Sequence, residues 1–192
     1  PEDAVREAVG VLRGGGLIAF PTETVYGLGV LDGNAAALER LRRLKGRDAD
    51  KPFQILIADA AAVAALGCRV GPAAEALMRR FWPGALTLVL QRAEGETIGL
   101  RLPDAEFIRT LVRAAGAPLV ATSANRASEP PAANGEEAAR SFGRQVDLIL
   151  DGGPARLGQA STVVRAAGTR IEILREGAIP AAAIHAALPQ EL

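Results

Sequence analysis

Phe20-Pro21-Thr22-Glu23-Thr24-Val25-Tyr26-Gly27-Leu28-Gly29 is the stretch whose reading decides the fold. It follows the short apolar run Leu17 to Phe20, which reads as a buried strand, and Pro21 interrupts regular pairing because it has no N–H to give to a ladder. Two threonine hydroxyls beside Glu23, then a phenol and two glycines, crowd the segment that follows. A segment needing only to turn would use Gly, Asn or Pro without so many side-chain donors and acceptors. Each residue singly reads as part of a strand-end turn with a satisfied tyrosine; the whole string reads as a ligand loop beside backbone-permissive glycines.

Outward from this loop, helices and strands interleave. Val5, Ala8, Val9 and Leu12 recur at helical spacing before Gly14 to Gly16. Asn34 caps a helix with Ala35, Leu38, Leu41 and Leu44 on its apolar face and Gly46 beyond its end. Phe53 to Ala58 reads as a strand, Asp59 as the cap of a short Ala-rich helix, and Pro72 to Phe81 as a helix stopped by Pro83-Gly84. Leu86 to Leu90 and Ile98 to Leu102 read as a hairpin around Glu94-Gly95. Further helices are expected over Asp104 to Ala114, Asn134 to Phe142 and Pro180 to Leu188. Further strands are expected over Pro118 to Ala121, Val146 to Leu150, Thr162 to Val164 and Arg170 to Leu174. Strands joined partly by hairpins and partly by helices predict one α/β domain over residues 1–192 with a twisted mixed parallel and antiparallel sheet flanked by helices.

The 192 residues suffice for a sizeable core, and 49% are hydrophobic. Lys plus Arg balance Asp plus Glu at 22 each, which argues against broad electrostatic binding to a nucleic-acid backbone and leaves room for a local basic patch. The single cysteine, Cys68, rules out an internal disulfide and a cysteine-rich zinc site. No run approaches a membrane span and the start does not read as a signal peptide, so the cytosol is the expected compartment.

Several motifs fail. Gly153 to Ser161 approaches a phosphate-binding loop but has Gln159 where the lysine belongs, and Gly27-Leu28-Gly29 starts a dinucleotide fingerprint that Asp32 breaks. The single histidine, His185, lies in the last helix and reads as a packing or surface residue, which argues against a Ser-His-Asp triad. No His or Cys cluster marks a transition-metal site.

Other constellations point to an anion site. Arg40, Arg42, Arg43, Lys45, Arg47 and Lys51 form a basic run, half of it a solvated helix face. Lys45, Arg47 and Lys51 bracket a helix end and the next strand's start, a place suited to phosphates. Arg101 interrupts an apolar strand and points either to solvent or to an anion such as a carboxylate. Ser123 and Asn125 end a strand, where α/β sheets commonly bind ligands, and Ser161-Thr162 and Arg175-Glu176-Gly177 add hydroxyls and another cation.

Together, Pro21 to Gly29, Lys45-Gly46-Arg47 with Lys51-Pro52, Trp82-Pro83-Gly84, Arg101-Leu102-Pro103, Ser123-Ala124-Asn125, Ser161 to Val164 and Arg175-Glu176-Gly177 resemble the YrdC-like family, in order and approximate spacing, from about residue 8 to residue 180. The chain resembles the single-domain, TsaC-type members. The resemblance implies a YrdC-like α/β twist, related to that of double-stranded-RNA-binding domains, with a concave basic cavity. It implies a nucleotidyltransferase that converts L-threonine, bicarbonate or CO2, and ATP to threonylcarbamoyl-AMP and pyrophosphate, for the t6A modification of tRNA. Carried over by motif, Thr24, Arg101 and Ser161 hold threonine; Arg47, Lys51, Thr97, Ser123, Asn125 and Arg175 contact ATP; and Lys45, Arg47 and Lys51 are the catalytic cations. Magnesium is expected to arrive with ATP rather than at a dedicated protein site. The resemblance also leaves open contact with tRNA or with proteins that transfer the threonylcarbamoyl group. Ala127-Ser128, Arg165 and Leu56 depart from the family's usual residues, Leu56 standing where longer relatives often carry a histidine. The rival readings are an RNA-binding or ribosome-assembly relative without this activity, and the carbamoyl-adenylate module of a hydrogenase-maturation protein.

Overall fold

The computed structural model describes residues 2–46, 52–126 and 128–189. In chain order its elements are α1 (Glu2–Arg13), β1 (Ile18–Phe20), β2 (Gly27–Leu31), α2 (Ala35–Lys45), β3 (Gln54–Leu56), α3 (Ala61–Ala65), α4 (Pro72–Phe81), β4 (Leu86–Gln91), β5 (Thr97–Arg101), α5 (Glu106–Ala115), β6 (Leu119–Ser123), α6 (Gly135–Phe142), β7 (Leu148–Ile149), β8 (Thr162–Ala167), β9 (Arg170–Arg175) and α7 (Ala181–Ala186). The strands make one sheet in the order β7-β1-β2-β6-β3-β5-β4-β8-β9. It is mixed, as expected: β1–β7, β3–β5 and β4–β8 run parallel, while β1–β2, β2–β6, β3–β6, β4–β5 and β8–β9 run antiparallel.

Local signals explain most boundaries. Asn34 accepts the Ala37 N–H at 2.9 Å, and Gly46 ends α2 in the left-handed region at φ 56°, which a side chain would resist. Asn134 caps α6 in the same way, accepting the Glu137 N–H at 2.9 Å. Pro72 opens α4 at a position where the missing N–H costs nothing.

One segment departs from the sequence reading. Gly27 and Gly29 belong to strand β2, not to a loop. They face the same side as Phe20, whose ring lies across both: an added Cβ would come within 2.9 Å of the ring at Gly27 and 2.8 Å at Gly29. Glycine here makes room for an aromatic ring on a neighbouring strand. Such a use looks like turn chemistry until the partner strand is known.

The two faces of the sheet are covered unequally. One packs against α2, α3, α4, α6 and α7, through Leu28, Val30, Ile55, Leu88, Leu90, Leu100, Val120 and Val164 with Leu41, Val63, Leu77, Phe142 and Ile184. On the other, α1 and α5 cover only the end of the sheet around β1 and β3. There Leu12, Ile108, Leu111 and Val112 meet Ile18, Phe20, Leu56 and Leu119. The rest of this second face, across β5, β4, β8 and β9 and the ends of β6 and β3 that carry Ser123 and Gln54, forms a hollow.

Candidate functional site

Strand alternation decides what the hollow contains, since every second side chain points to one face. Pairing sets Ala121 opposite Gln54, Gln54 opposite Gly99, Gly99 opposite Val89, and Thr87 opposite Val163. All of these line a cavity of about 290 Å³, close to the lower end of small-molecule sites at roughly 300–1,000 Å³. Two residues along from this row in either direction, Thr97, Arg101 and Ser123 line it as well. Ser161 and Arg175 line it too, as does Thr24 from the loop between β1 and β2.

Six of the residues singled out in the sequence therefore share one cavity: Thr24, Thr97, Arg101, Ser123, Ser161 and Arg175. Lys45 and Asn125 stand behind it. The Lys45 ammonium donates to Ser123 O at 2.9 Å, to Asn125 O and to Asn125 Oδ1 at 2.9 Å, and Ser123 Oγ donates to Asn125 Oδ1 at 2.6 Å. Lys45 thus shapes the Ser123–Asn125 turn. Arg47, Lys51 and Ala127 lie outside the described residues. His185 is exposed on α7 and does not line the cavity. Leu56 does line it, so the wall at that position is aliphatic. Arg165 is exposed on β8, where it pairs with Glu172.

Arg101 resolves neither to solvent nor to a ligand alone. It is 3% exposed and pairs with Glu23, Nη2 donating to Oε1 at 2.7 Å, while Nε donates to Gly84 O at 3.2 Å. Glu23 Oε1 also accepts the Asp104 N–H at 3.1 Å, and Glu23 Oε2 has no hydrogen-bond partner among the described residues. Nη1 of Arg101 likewise has none among the described residues, so it is the part of the guanidinium available to an anion in the cavity.

The hydroxyls are held equally firmly. Thr22 Oγ1 donates to Val25 O at 2.7 Å and lies 2.8 Å from Thr24 Oγ1. Arg175 Nη2 donates to Ser161 O at 2.7 Å. Gln54 and Thr87 belong to this wall too and were not singled out in the sequence; a threonine inside the apolar run Leu86 to Leu90 carries the same signal that exposed Arg101.

Tyr26 has the structural role that its residue type alone suggested. Its buried hydroxyl lies 3.0 Å from Asp151 Oδ1 and 2.9 Å from Gly153 O, and accepts the Gly152 N–H at 3.0 Å. Burial pushes its phenol above the usual value, while N–H bonds from Gly153, joined by the Tyr26 hydroxyl, hold Asp151 below the usual carboxylate range. Tyr26→Phe is expected to cost about 0.5–1.5 kcal/mol, the net worth of a hydrogen bond whose partners can turn to water. Hydrogen exchange should then quicken at Gly152 and at Leu157, whose N–H bonds to Glu23 O at 2.8 Å. Unchanged exchange at both amides would remove the anchoring role.

Comparison with known proteins agrees with this geometry. The model of the Sua5/YciO/YrdC family, which carries the description "Telomere recombination", matches residues 10–177. The chain is 38% identical to a threonylcarbamoyl-AMP synthase of Bacillus subtilis, over 96% of this chain and 56% of that protein. It is 37% identical to one of Pyrococcus abyssi, over 92% of this chain and 54% of that protein. The chain thus spans little more than half the length of these curated relatives. Among solved structures, that of P. abyssi Sua5 complexed with L-threonine superimposes with a TM-score of 0.91 at 36% identity, covering 97% of this chain and 58% of that one. The family model matches most of the chain and the sequence similarity extends over more than nine-tenths of it, and the chain belongs to the Sua5/YciO/YrdC family.

Proposed function

We propose that this chain is a threonylcarbamoyl-AMP synthase, converting L-threonine, bicarbonate or CO2, and ATP to threonylcarbamoyl-AMP and pyrophosphate. The observation that carries the reading is the cavity itself. An arginine fork with one arm facing inward, a second arginine and several fixed hydroxyls line one open sheet face. Similarity to synthases named for this reaction supports the same reading.

In this reaction the neutral amine of threonine attacks CO2, forming a C–N bond and releasing a proton. A carbamate oxygen then attacks the α-phosphorus of ATP, and the bond to the β-phosphate oxygen breaks as pyrophosphate leaves. No covalent enzyme intermediate is needed, so positioning and cationic stabilisation carry the rate. Arg101 takes the threonine carboxylate, with Thr24 and Ser161 on its other polar groups. Thr97, Ser123 and Arg175, with Arg47 and Lys51, take the nucleotide, and Lys45 and Asn125 hold the turn that presents Ser123. Magnesium enters as the counter-ion of ATP. The product's mixed anhydride is an activated acyl donor, suited to a transfer step onto tRNA. A cytoplasmic location accords with there being no helix among the described residues long and apolar enough to cross a membrane.

Pyrophosphate release from ATP with bicarbonate and each amino acid in turn tests the proposal. Release is expected with L-threonine and with bicarbonate present. Equal release without any amino acid, or none with threonine, would reject it.

A further inference from the structure

Proton counting along the cavity wall assigns a direction to its hydroxyls. Thr87, on β4, is 3% exposed. Its Oγ1–H donates to Gln54 Oε1 at 2.9 Å, and the same oxygen lies 2.9 Å from Ser161 Oγ. A hydroxyl has one proton to give. With that of Thr87 directed to Gln54, the bond between Thr87 and Ser161 requires the Ser161 proton. The other neighbour of Ser161 Oγ, Arg175 Nη2 at 3.4 Å, is a donor only. Ser161 therefore turns lone pairs alone to the cavity, and a ligand group seated there must bring its own N–H or O–H.

Thr24 repeats the pattern. Thr22 gives its proton to Val25 O, so the bond between Thr22 and Thr24 takes the Thr24 proton. Of the three residues read as holding threonine, Thr24 and Ser161 then present oxygens that accept and Arg101 a guanidinium that donates. Threonine matches this set with two donors, its amine and its hydroxyl, and one acceptor, its carboxylate.

We propose that Thr87 is a positioning residue which, through Gln54, fixes Ser161 as an acceptor, so that the amine or hydroxyl of the substrate docks at Ser161 and its carboxylate is turned away toward Arg101. The inference rests on the reading of threonine as substrate. It adds that the orientation of threonine is set by a wall residue beside the contact.

Thr87→Val keeps the shape, removes the relay and lets the Ser161 proton swing into the cavity. The KM for threonine is expected to rise about five- to tenfold, the net worth of one hydrogen bond. The KM for ATP should stay constant, and Thr87→Ser should restore the threonine value. Competition by L-valine, which has the amine but no hydroxyl, identifies the donor. If the amine sits at Ser161, valine's inhibition constant rises in Thr87→Val along with the threonine KM; if the hydroxyl does, it stays unchanged. A threonine KM unaltered in Thr87→Val overturns the relay, as does a parallel rise in both KM values with a fall in Tm, which marks a purely structural role. A wild-type protein with no threonine-dependent pyrophosphate release overturns the substrate reading itself, and the relay with it.

Discussion

Arg101→Ala is expected to raise the threonine requirement by about thirtyfold or more, the equivalent of at least 2 kcal/mol for a buried charge-assisted contact. The requirement for ATP should move far less. The same substitution should also destabilise the fold, because it strands Glu23. That carboxylate is 6% exposed, its Oε1 would keep only the Asp104 N–H, and Oε2 has no partner among the described residues. Breaking one side of a buried ion pair costs about 3–5 kcal/mol. A drop in Tm alone would therefore say nothing about threonine. Arg101→Lys separates the two roles: the ammonium can still neutralise Glu23, but it lacks the planar fork that serves Glu23, Gly84 O and a ligand together. Its Tm should recover most of the loss while its threonine KM remains high. A folded Arg101→Lys protein with the wild-type threonine KM would remove the guanidinium from substrate recognition.

Gly177→Ala is expected to be the most damaging single methyl in the chain's C-terminal third. A Cβ at Gly177 would lie 2.2 Å from Ala160 O and 2.6 Å from Ser161 O, both backbone atoms that cannot swing aside. The two segments are also tied directly: Ala178 N–H bonds to Ala160 O at 2.9 Å, and Gly177 N–H bonds to Thr162 Oγ1 at 2.9 Å. Relief of the clash must move Ser161 or the segment that follows Arg175. Overpacking of this kind costs about 1–3 kcal/mol, and an ångström of misplacement at a site can cost about a hundredfold in rate. Pyrophosphate release at saturating substrates should fall by that order, with a lowered Tm. Gly10→Ala is the matched control, since nothing lies within 4 Å of its added methyl inside α1. It should keep full activity and add about 0.5–1 kcal/mol of stability. Full activity in Gly177→Ala would show that the contact yields without disturbing Ser161.

How far the sequence could be read depended on whether the deciding partner was local. Asn34, Gly46, Pro72 and Asn134 act on their own helices within a few residues, so their elements could be placed from the sequence. Thr24, Arg101, Ser123 and Ser161 stood out as polar residues next to or within apolar strands, and one cavity receives all four. What stayed hidden depended on distant partners. Gly27 and Gly29 are strand residues because of the Phe20 ring. Arg101 is paired because Glu23 reaches it from 78 positions away. Thr87 and Gln54 matter because β3, β4 and β8 bring them to Ser161. The bonds that tie the Lys45 ammonium to the Ser123–Asn125 turn, 78 to 80 positions later, likewise have no signal near Lys45 itself.

The hollow draws its walls from Thr24 near one end of the chain to Arg175 near the other. No partial chain emerging from a ribosome can present it before β9 has been made and paired with β8. Whatever occupies it bridges the first and last strands of this sheet like a clasp. Occupancy should therefore raise the melting temperature of the whole unit and shield β9 from proteases, making thermal shift a direct gauge of ligand affinity.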